Sequence, residues 1–187
     1  VYKSGLKVYT TLNLNNQIIA QNSTNKHLRI IDKRFGYRGP LGRMDMSLPE
    51  TILQETLLEA NNIGDGVLSK PGMIIYGLVK SVEREHAIVL IGQGEGIITL
   101  KDMNWAREPN IMIDGRWARI NRIDKTLHPG DRIMVKVLGP DESGLLWSLS
   151  LEQEPEVESS LISIEPETGH IKAMIGGYDF SRSQFNR

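Results

Sequence analysis

Cysteine is absent from the 187 residues, which excludes disulfides, thiolate nucleophiles and sulfur-rich zinc sites and leaves the redox compartment open. Long hydrophobic runs are missing as well. No stretch approaches the roughly 18 apolar residues that span a bilayer, and no basic-then-apolar leader opens at Val1, so any membrane anchor is expected outside this sequence. Excess charge of either sign is also lacking. With 22 Lys+Arg against 23 Asp+Glu the formal charge is -1, and the electrostatic footprint of a nucleic-acid binder, which needs clustered cations in excess, is not there. A local basic patch stays open. What is present, 40% hydrophobic and 24% charged residues, is ordinary for a soluble globular protein and excludes disorder and collagen. The length fits one domain or two small ones.

Three zones follow one another along the chain. In the first, Lys7-Val8-Tyr9-Thr10-Thr11-Leu12 reads as a short strand from its β-branched and aromatic content. A helix with Asn15 as cap is expected next, with Leu28, Ile31 and Phe35 on one face, stopped by Gly36 and Gly39-Pro40. Ser47-Leu48-Pro49-Glu50 has capping-box spacing and predicts a second helix burying Leu53, Leu57 and Ala60. Asn61 to Gly66 is turn chemistry. The second zone switches to two-residue alternation, with strands expected at 73–82, 86–92, 96–100, 132–138 and 145–151. Ile133, Val135 and Val137 should face inward, as should Leu145, Trp147, Leu149 and Leu151. Gly139 to Gly144 joins the last two strands as a hairpin loop, whereas Lys101 to Gly130 makes one long excursion between the third and fourth. Five strands with that excursion are the layout of an OB-fold barrel. The third zone, after the acidic connector Glu152 to Glu156, holds a hairpin, Ser160 to Glu165 and His170 to Ile175, turned at Pro166-Glu167-Thr168-Gly169 and closed at Gly176-Gly177. A lone hairpin is marginal in water, so it should pack on the first zone. The expected fold class is therefore mainly β with some α: a five-stranded OB-like barrel (67–155) inserted into an incomplete α+β domain made of residues 1–66 and 156–187.

Val8-Tyr9-Thr10-Thr11-Leu12 followed by Gln17 and Ala20, then Ile164 to Phe180 with its Glu165-Pro166-Glu167-Thr168-Gly169-His170 turn and Gly176-Gly177-Tyr178, and finally Ser183-Gln184-Phe185-Asn186-Arg187, resemble class A penicillin-binding proteins. The resemblance is strongest at Gly176 to Arg187 and weakest through the barrel. It implies a parent that polymerises lipid-linked disaccharide with one domain and cross-links peptide stems with a serine-type transpeptidase domain, into which some members insert an OB-like barrel. It also implies that the acylated serine, in a Ser-x-x-Lys motif, follows soon after Arg187. The stretch in hand would then be the non-catalytic front of the transpeptidase domain, on the periplasmic face of the bacterial inner membrane, its parent anchored by a segment elsewhere. Implied partners are a protein activator, outer-membrane lipoproteins among them, or glycan strands of peptidoglycan. No nucleic acid and no cofactor is expected, and the oligomeric state stays open.

Short strings that imitate the transpeptidase motifs do occur, and they carry little weight. Ser4-Gly5-Leu6-Lys7 and Ser23-Thr24-Asn25-Lys26 match Ser-x-x-Lys, Ser23-Thr24-Asn25 matches Ser-x-Asn, and Lys3-Ser4-Gly5 matches Lys-Ser-Gly. They overlap and run in the wrong order, and 13 Ser with 10 Lys give about 0.7 Ser-x-x-Lys matches by chance. His27, His86, His128 and His170 are scattered, none at the spacing of a zinc pair, so neither catalytic nor metal residues are assigned. Gly92-Gln93-Gly94-Glu95-Gly96 joins two strands and lacks the Gly-Lys-Ser/Thr ending of a phosphate loop. The candidate partner-binding residues lie in the long excursion. Arg116, Arg119, Arg122 and Lys125 recur every three residues, a basic stripe if that stretch is helical, flanked by Trp105 and Trp117. The bland reading is a solvated charged face with Trp117 partly packed beneath it. Two function classes result: a docking or regulatory barrel within a cell-wall synthase, or an S1-type RNA-binding module, which Gly130 to Leu138 and Ser148 to Leu151 also resemble. Between Lys70 and Gln153 eleven Lys and Arg face eleven Asp and Glu; that neutrality argues against RNA.

Overall fold

A computed structural model describes residues 5, 7–61, 70–92, 94–110, 112–115 and 118–179. They fall into two compact units, Lys33–Glu154 and the pair Val1–Asp32 with Pro155–Arg187.

The Lys33–Glu154 unit contains β1 (Gly42–Arg43), α2 (Glu50–Ala60), β2 (Ile74–Val82), β3 (His86–Leu90), β4 (Glu95–Thr99), α3 (Leu100–Met103), β5 (Asp131–Pro140) and β6 (Trp147–Glu152); α1 (Leu14–Asp32) precedes them in the chain. β2, β3 and β4 form an antiparallel meander. β4 then runs parallel to β6 through Gly96↔Trp147 and Ile98↔Leu149, β6 pairs antiparallel with β5, and β5 returns to β2. The sheet thus closes on itself in five strands with the connectivity of an OB-fold, and closure leaves few unpaired strand edges. β1 adds two residues beside the start of β5. The expected alternation is what fills the barrel: Ile133, Val135, Val137, Leu149 and Leu151 are fully buried together with Val79, Ala87, Val89 and Ile98. Leu145 instead stands 86% exposed. It precedes β6, in the loop where the Asp141 carboxylate accepts from Leu146 N–H, so it is outside the pleat. Trp147 is half-buried against the core.

Helix α2 belongs to this unit, whereas the sequence had placed residues 33–66 with the first zone. Leu53 and Leu57 cover Leu78 and Leu90, which project from the outer face of β2 and β3. The Asn61 side chain clamps Tyr76 from both ends of its amide, at 2.7 Å and 3.0 Å. The Lys80 ammonium ties Glu50 of the helix to Glu95 of β4. Two leucines on the wet side of a barrel need such a cover, which is why α2 belongs to this unit. Leu53 and Leu57 are buried as expected and Ala60 only partly, but the capping box does not form. Asp45 takes the Ser47 N–H and Pro49 fills the cap position without a side-chain bond.

The other unit packs α1 on an antiparallel hairpin of β7 (Ser160–Ile164) and β8 (Ile171–Gly176). Its core is small: Ala20, Ala173 and Ile175, with Leu161 against them. The first zone and the hairpin do meet, and the Gln17 side chain completes the free edge of β8. Its Nε2 donates to Met174 O at 3.0 Å and its Oε1 accepts from Met174 N at 2.9 Å, as a neighbouring strand would. Residues 7–12 are not a strand. Thr11 Oγ1 donates to Ile171 O and Asn13 N to Lys172 O, both at 2.9 Å, while Val8 and Tyr9 stand exposed with nothing to bury them. The cap of α1 is Asn13, whose Oδ1 accepts from Asn16 N, not Asn15. The buried face of α1 is Ala20, Thr24, Leu28 and Asp32; Ile31 is exposed, and Phe35 lies beyond α1 in a short 3-10 turn, Lys33–Phe35. No helix among the described residues is long and apolar enough to cross a membrane.

Candidate functional site

The excursion between α3 and β5 is mostly irregular backbone. Its return to the barrel is anchored by Ile123 and Leu127, both buried in the core, and by backbone bonds from Ile120 to Asn104 and from Ile123 to Arg84, each 2.9 Å. The outward half is held by Arg107, only 9% exposed. Its guanidinium donates to three carbonyls, Arg34 O at 2.8 Å, Ile113 O at 2.9 Å and Glu108 O at 3.0 Å. One planar fork therefore joins the excursion to the segment before β1. That segment is pinned in turn: Tyr37 N donates to Arg107 O at 2.8 Å, Gln153 Nε2 to Gly36 O at 2.9 Å and Arg38 N to Gln153 Oε1 at 3.1 Å. The approach is so close at Gly36, where φ is +104°, that a Cβ there would sit 2.7 Å from Arg107 O. Only glycine satisfies both conditions.

Between these two segments lies a groove of about 550 Å³ whose walls include Tyr37, Gly39, Arg107, Glu108, Ile113 and Lys125. That volume is in the range of small-ligand clefts. Tyr37 is nearly buried, edge-on to Trp105 with ring centroids 5.9 Å apart. Burial first, and the nearby Asp131 charge second, push its phenol well above its ordinary pKa, so the hydroxyl stays protonated and neutral at any physiological pH. Asp131 is itself fully buried, accepting from Arg43 Nε at 2.7 Å and His128 N at 2.8 Å.

The expected basic stripe does not form. The only helical residues described between Leu100 and Gly130 are α3 itself, so a three-residue spacing there puts no side chains on a common face. Arg122 is engaged by Asp124, whose carboxylate it holds below its usual pKa chiefly through their hydrogen bonds. Arg119 is exposed and away from the groove lining, and of the three described cations Lys125 alone reaches it. Trp105 is not a free platform. It packs partly buried on the barrel core, with Tyr37 at its edge and Lys33 Nζ 5.1 Å over its face. Arg116 and Trp117 lie outside the described residues. Tyr37, Arg107 and Glu108 were not singled out from sequence; the signal available was Gly36, read only as a helix stop. Of the motif look-alikes, Ser4 lies outside the described residues, while Ser23 and Lys26 are exposed on α1. Among the described residues no group of three His, Asp or Glu is placed to hold a metal.

A closed OB barrel carrying a helix on its outer face and a grooved excursion between its third and fourth strands defines the class. Residues 37–157 match the family model of the penicillin-binding protein OB-like domain, and the chain belongs to that family. Its whole length aligns with penicillin-binding protein 1A of Escherichia coli (strain K12), 29% identical, and of Rickettsia felis, 32% identical. The chain spans 21% and 20% of those relatives' lengths. A crystal structure of penicillin-binding protein 1A from Haemophilus influenzae shares the fold with a TM-score of 0.63 at 22% identity, over 97% of this chain and 23% of that one.

Proposed function

We propose that this chain is a non-catalytic docking region of a bifunctional cell-wall synthase, a protein that polymerises glycan strands and cross-links their peptide stems on the periplasmic face of the bacterial inner membrane. The family membership and the end-to-end alignment with penicillin-binding protein 1A support the parent's identity. The docking role rests on one observation: the excursion forms a braced groove on the barrel, held in shape by Arg107 before any ligand arrives. The partner is a protein activator, of the kind that outer-membrane lipoproteins supply, or the glycan strands themselves. An S1-type RNA site fits the groove less well. Its described lining sets two cations, Lys125 and an Arg107 spent on three main-chain carbonyls, against Glu108, and its one described aromatic ring, Tyr37, is buried, whereas single-stranded RNA needs a cationic track and exposed rings for stacking.

Photocrosslinking in the whole parent protein in living cells tests the reading. A photoreactive residue at Asn110, exposed on the groove rim, should give one dominant protein or glycan adduct, and the same residue at Glu142, in the hairpin loop beyond the far end of β5, should not. No adduct at Asn110, equal adducts at both positions, or an RNA adduct would overturn it. Labelling of the 187-residue chain by a fluorescent β-lactam would overturn the non-catalytic part.

A further inference from the structure

Tyr37 lines the groove, but a residue that fixes its main chain does not. Gln153, 8% exposed, is absent from the described groove lining and sits at the end of the barrel unit, where the chain passes on to Pro155. Its one amide brackets Tyr37 on both sides: Nε2 donates to Gly36 O at 2.9 Å and Oε1 accepts from Arg38 N at 3.1 Å. Gly36 O can only accept and Arg38 N–H can only donate, so these two neighbours dictate which way the amide faces.

The preceding residue supports the same wall by a second route. Glu152, also buried, pairs with Lys33 Nζ at 2.7 Å, and that ammonium lies 5.1 Å over the ring of Trp105, the indole against which Tyr37 stands edge-on. Segment 33–38 is therefore held between two others. On one side the excursion takes Arg34 O through the Arg107 guanidinium and offers Arg107 O to Tyr37 N. On the other, residues 152 and 153 take Lys33, Gly36 and Arg38. Both Gln153 bonds spring from one planar group, so a shift of either neighbour strains both, and the wall and the exit segment open as one local unit.

We propose that Gln153 is a positioning residue for the groove: without lining it, Gln153 holds the Tyr37 wall in the shape that docking needs and couples occupancy of the groove to the segment by which the chain leaves the barrel. This rests on the docking reading and adds a regulatory consequence to it. A partner that orders residues 36–38 also favours the bonded state of Gln153, and by linkage whatever fixes Gln153 raises the partner's affinity.

Amide hydrogen exchange in the isotope-labelled 187-residue chain tests the coupling with Gln153→Met, which keeps the side-chain length and removes both bonds. The Arg38 amide should lose about tenfold in protection, the worth of one buried hydrogen bond. The Tyr37 amide, whose own acceptor Arg107 O is untouched, should lose about fivefold with it, while the Val135 amide in β5 keeps its protection. Gln153→Glu adds a readout that packing alone would not move. It sets a carboxylate against Gly36 O at neutral pH, but once protonated it has one donor and one acceptor, as the amide does. Protection of the Tyr37 and Arg38 amides, relative to the unsubstituted chain at each pH, should therefore recover as pH falls from about 7 to about 4. An unchanged Tyr37 amide in Gln153→Met, an equal fall at Val135, or no recovery in acid for Gln153→Glu would overturn the inference. In the whole parent protein in cells, Gln153→Met should cut the Asn110 adduct about fivefold, because the wall is no longer preorganised. A full-yield adduct in that variant would sink this inference and keep the docking reading; no adduct in the unsubstituted parent would sink the docking reading, and the exchange results would still decide whether Gln153 holds the wall.

Discussion

Replacing Gly96 by alanine should loosen the seam that closes the barrel. Gly96 sits in β4 opposite Trp147, at the parallel β4–β6 pairing that completes the cylinder. A Cβ there would fall 2.4 Å from Leu149 Cδ1, 2.7 Å from its Cγ and 2.8 Å from Trp147 O. Leu149 is fully buried and has nowhere to retreat, and the carbonyl is backbone. Overpacking of this kind is destabilising by about 1–3 kcal/mol, here near the upper end. Alanine also restricts the unfolded chain, which returns about 0.4–1 kcal/mol, so the net loss should be about 2 kcal/mol. All three tryptophans lie within Lys33–Glu154; tryptophan fluorescence in a urea titration therefore reports on this unit alone. A paired variant isolates the cause. Leu149→Ala alone should lose about 2–5 kcal/mol through its cavity, but with Gly96→Ala the two losses should sum to about 1–2 kcal/mol less than additivity, since the new methyl occupies part of the vacated space. Relief would be partial, because the Trp147 carbonyl remains. An unchanged urea midpoint for Gly96→Ala, or strictly additive losses, would refute the claim that β4 and β6 meet at contact distance only because residue 96 has no side chain.

Arg107→Met should be destabilising by about 2 kcal/mol in the same assay, since it removes the charged donor that three part-buried hydrogen bonds to main-chain carbonyls share; an unchanged midpoint would show that the excursion is held by its apolar anchors alone. Asp141 provides a local pH response. Its carboxylate accepts from Leu146 N at 3.0 Å and from the Ser143 hydroxyl, which hold its pKa below the ordinary 3.8. A depressed folded pKa means that the hairpin-loop stabilisation is complete above about pH 3.8 and is lost as pH falls through the folded value. Protection of the Leu146 amide, corrected for intrinsic exchange, should therefore drop as pH falls below about 3.8, and Asp141→Asn should remove that dependence.

Which parts of this molecule could be read from its sequence follows from where the information sits. The strands were legible because Ile133, Val135 and Val137, or Leu149 and Leu151, must alternate to fill a closed barrel, and a two-residue period survives without knowledge of the partner strand. The long gap between strands three and four carried the topology for the same local reason. The membership of α2 in the barrel unit was not legible: it depends on Leu78 and Leu90 pointing outward into α2, and within a strand an apolar residue on the covered outer face looks like one on the inner face. The strand expected at residues 7–12 failed on the same ground. Its β-branched and aromatic residues fit a strand, but β8 already receives the Gln17 amide and two single bonds from Thr11 and Asn13, so no long ladder is left to form.

The groove shows the same limit at its sharpest. A repeat of cations at every third residue carries meaning only where the backbone is helical, and the excursion has little regular structure beyond the four residues of α3. What shapes the site is a tertiary arrangement: Arg107 reaching back across seventy residues to Arg34 O, and Gly36 allowing Arg107 O to approach. Neither residue announces itself by type or spacing, since a buried arginine bonded to main-chain carbonyls has no sequence period. The consequence for function is specific. A stripe of four cations would attract polyanions from any direction, whereas the described groove lining sets Lys125 and the carbonyl-bonded Arg107 beside Glu108. Tertiary bracing thus fixes the shape of the groove and the arrangement of its charges, and no residue spacing in the sequence encodes either.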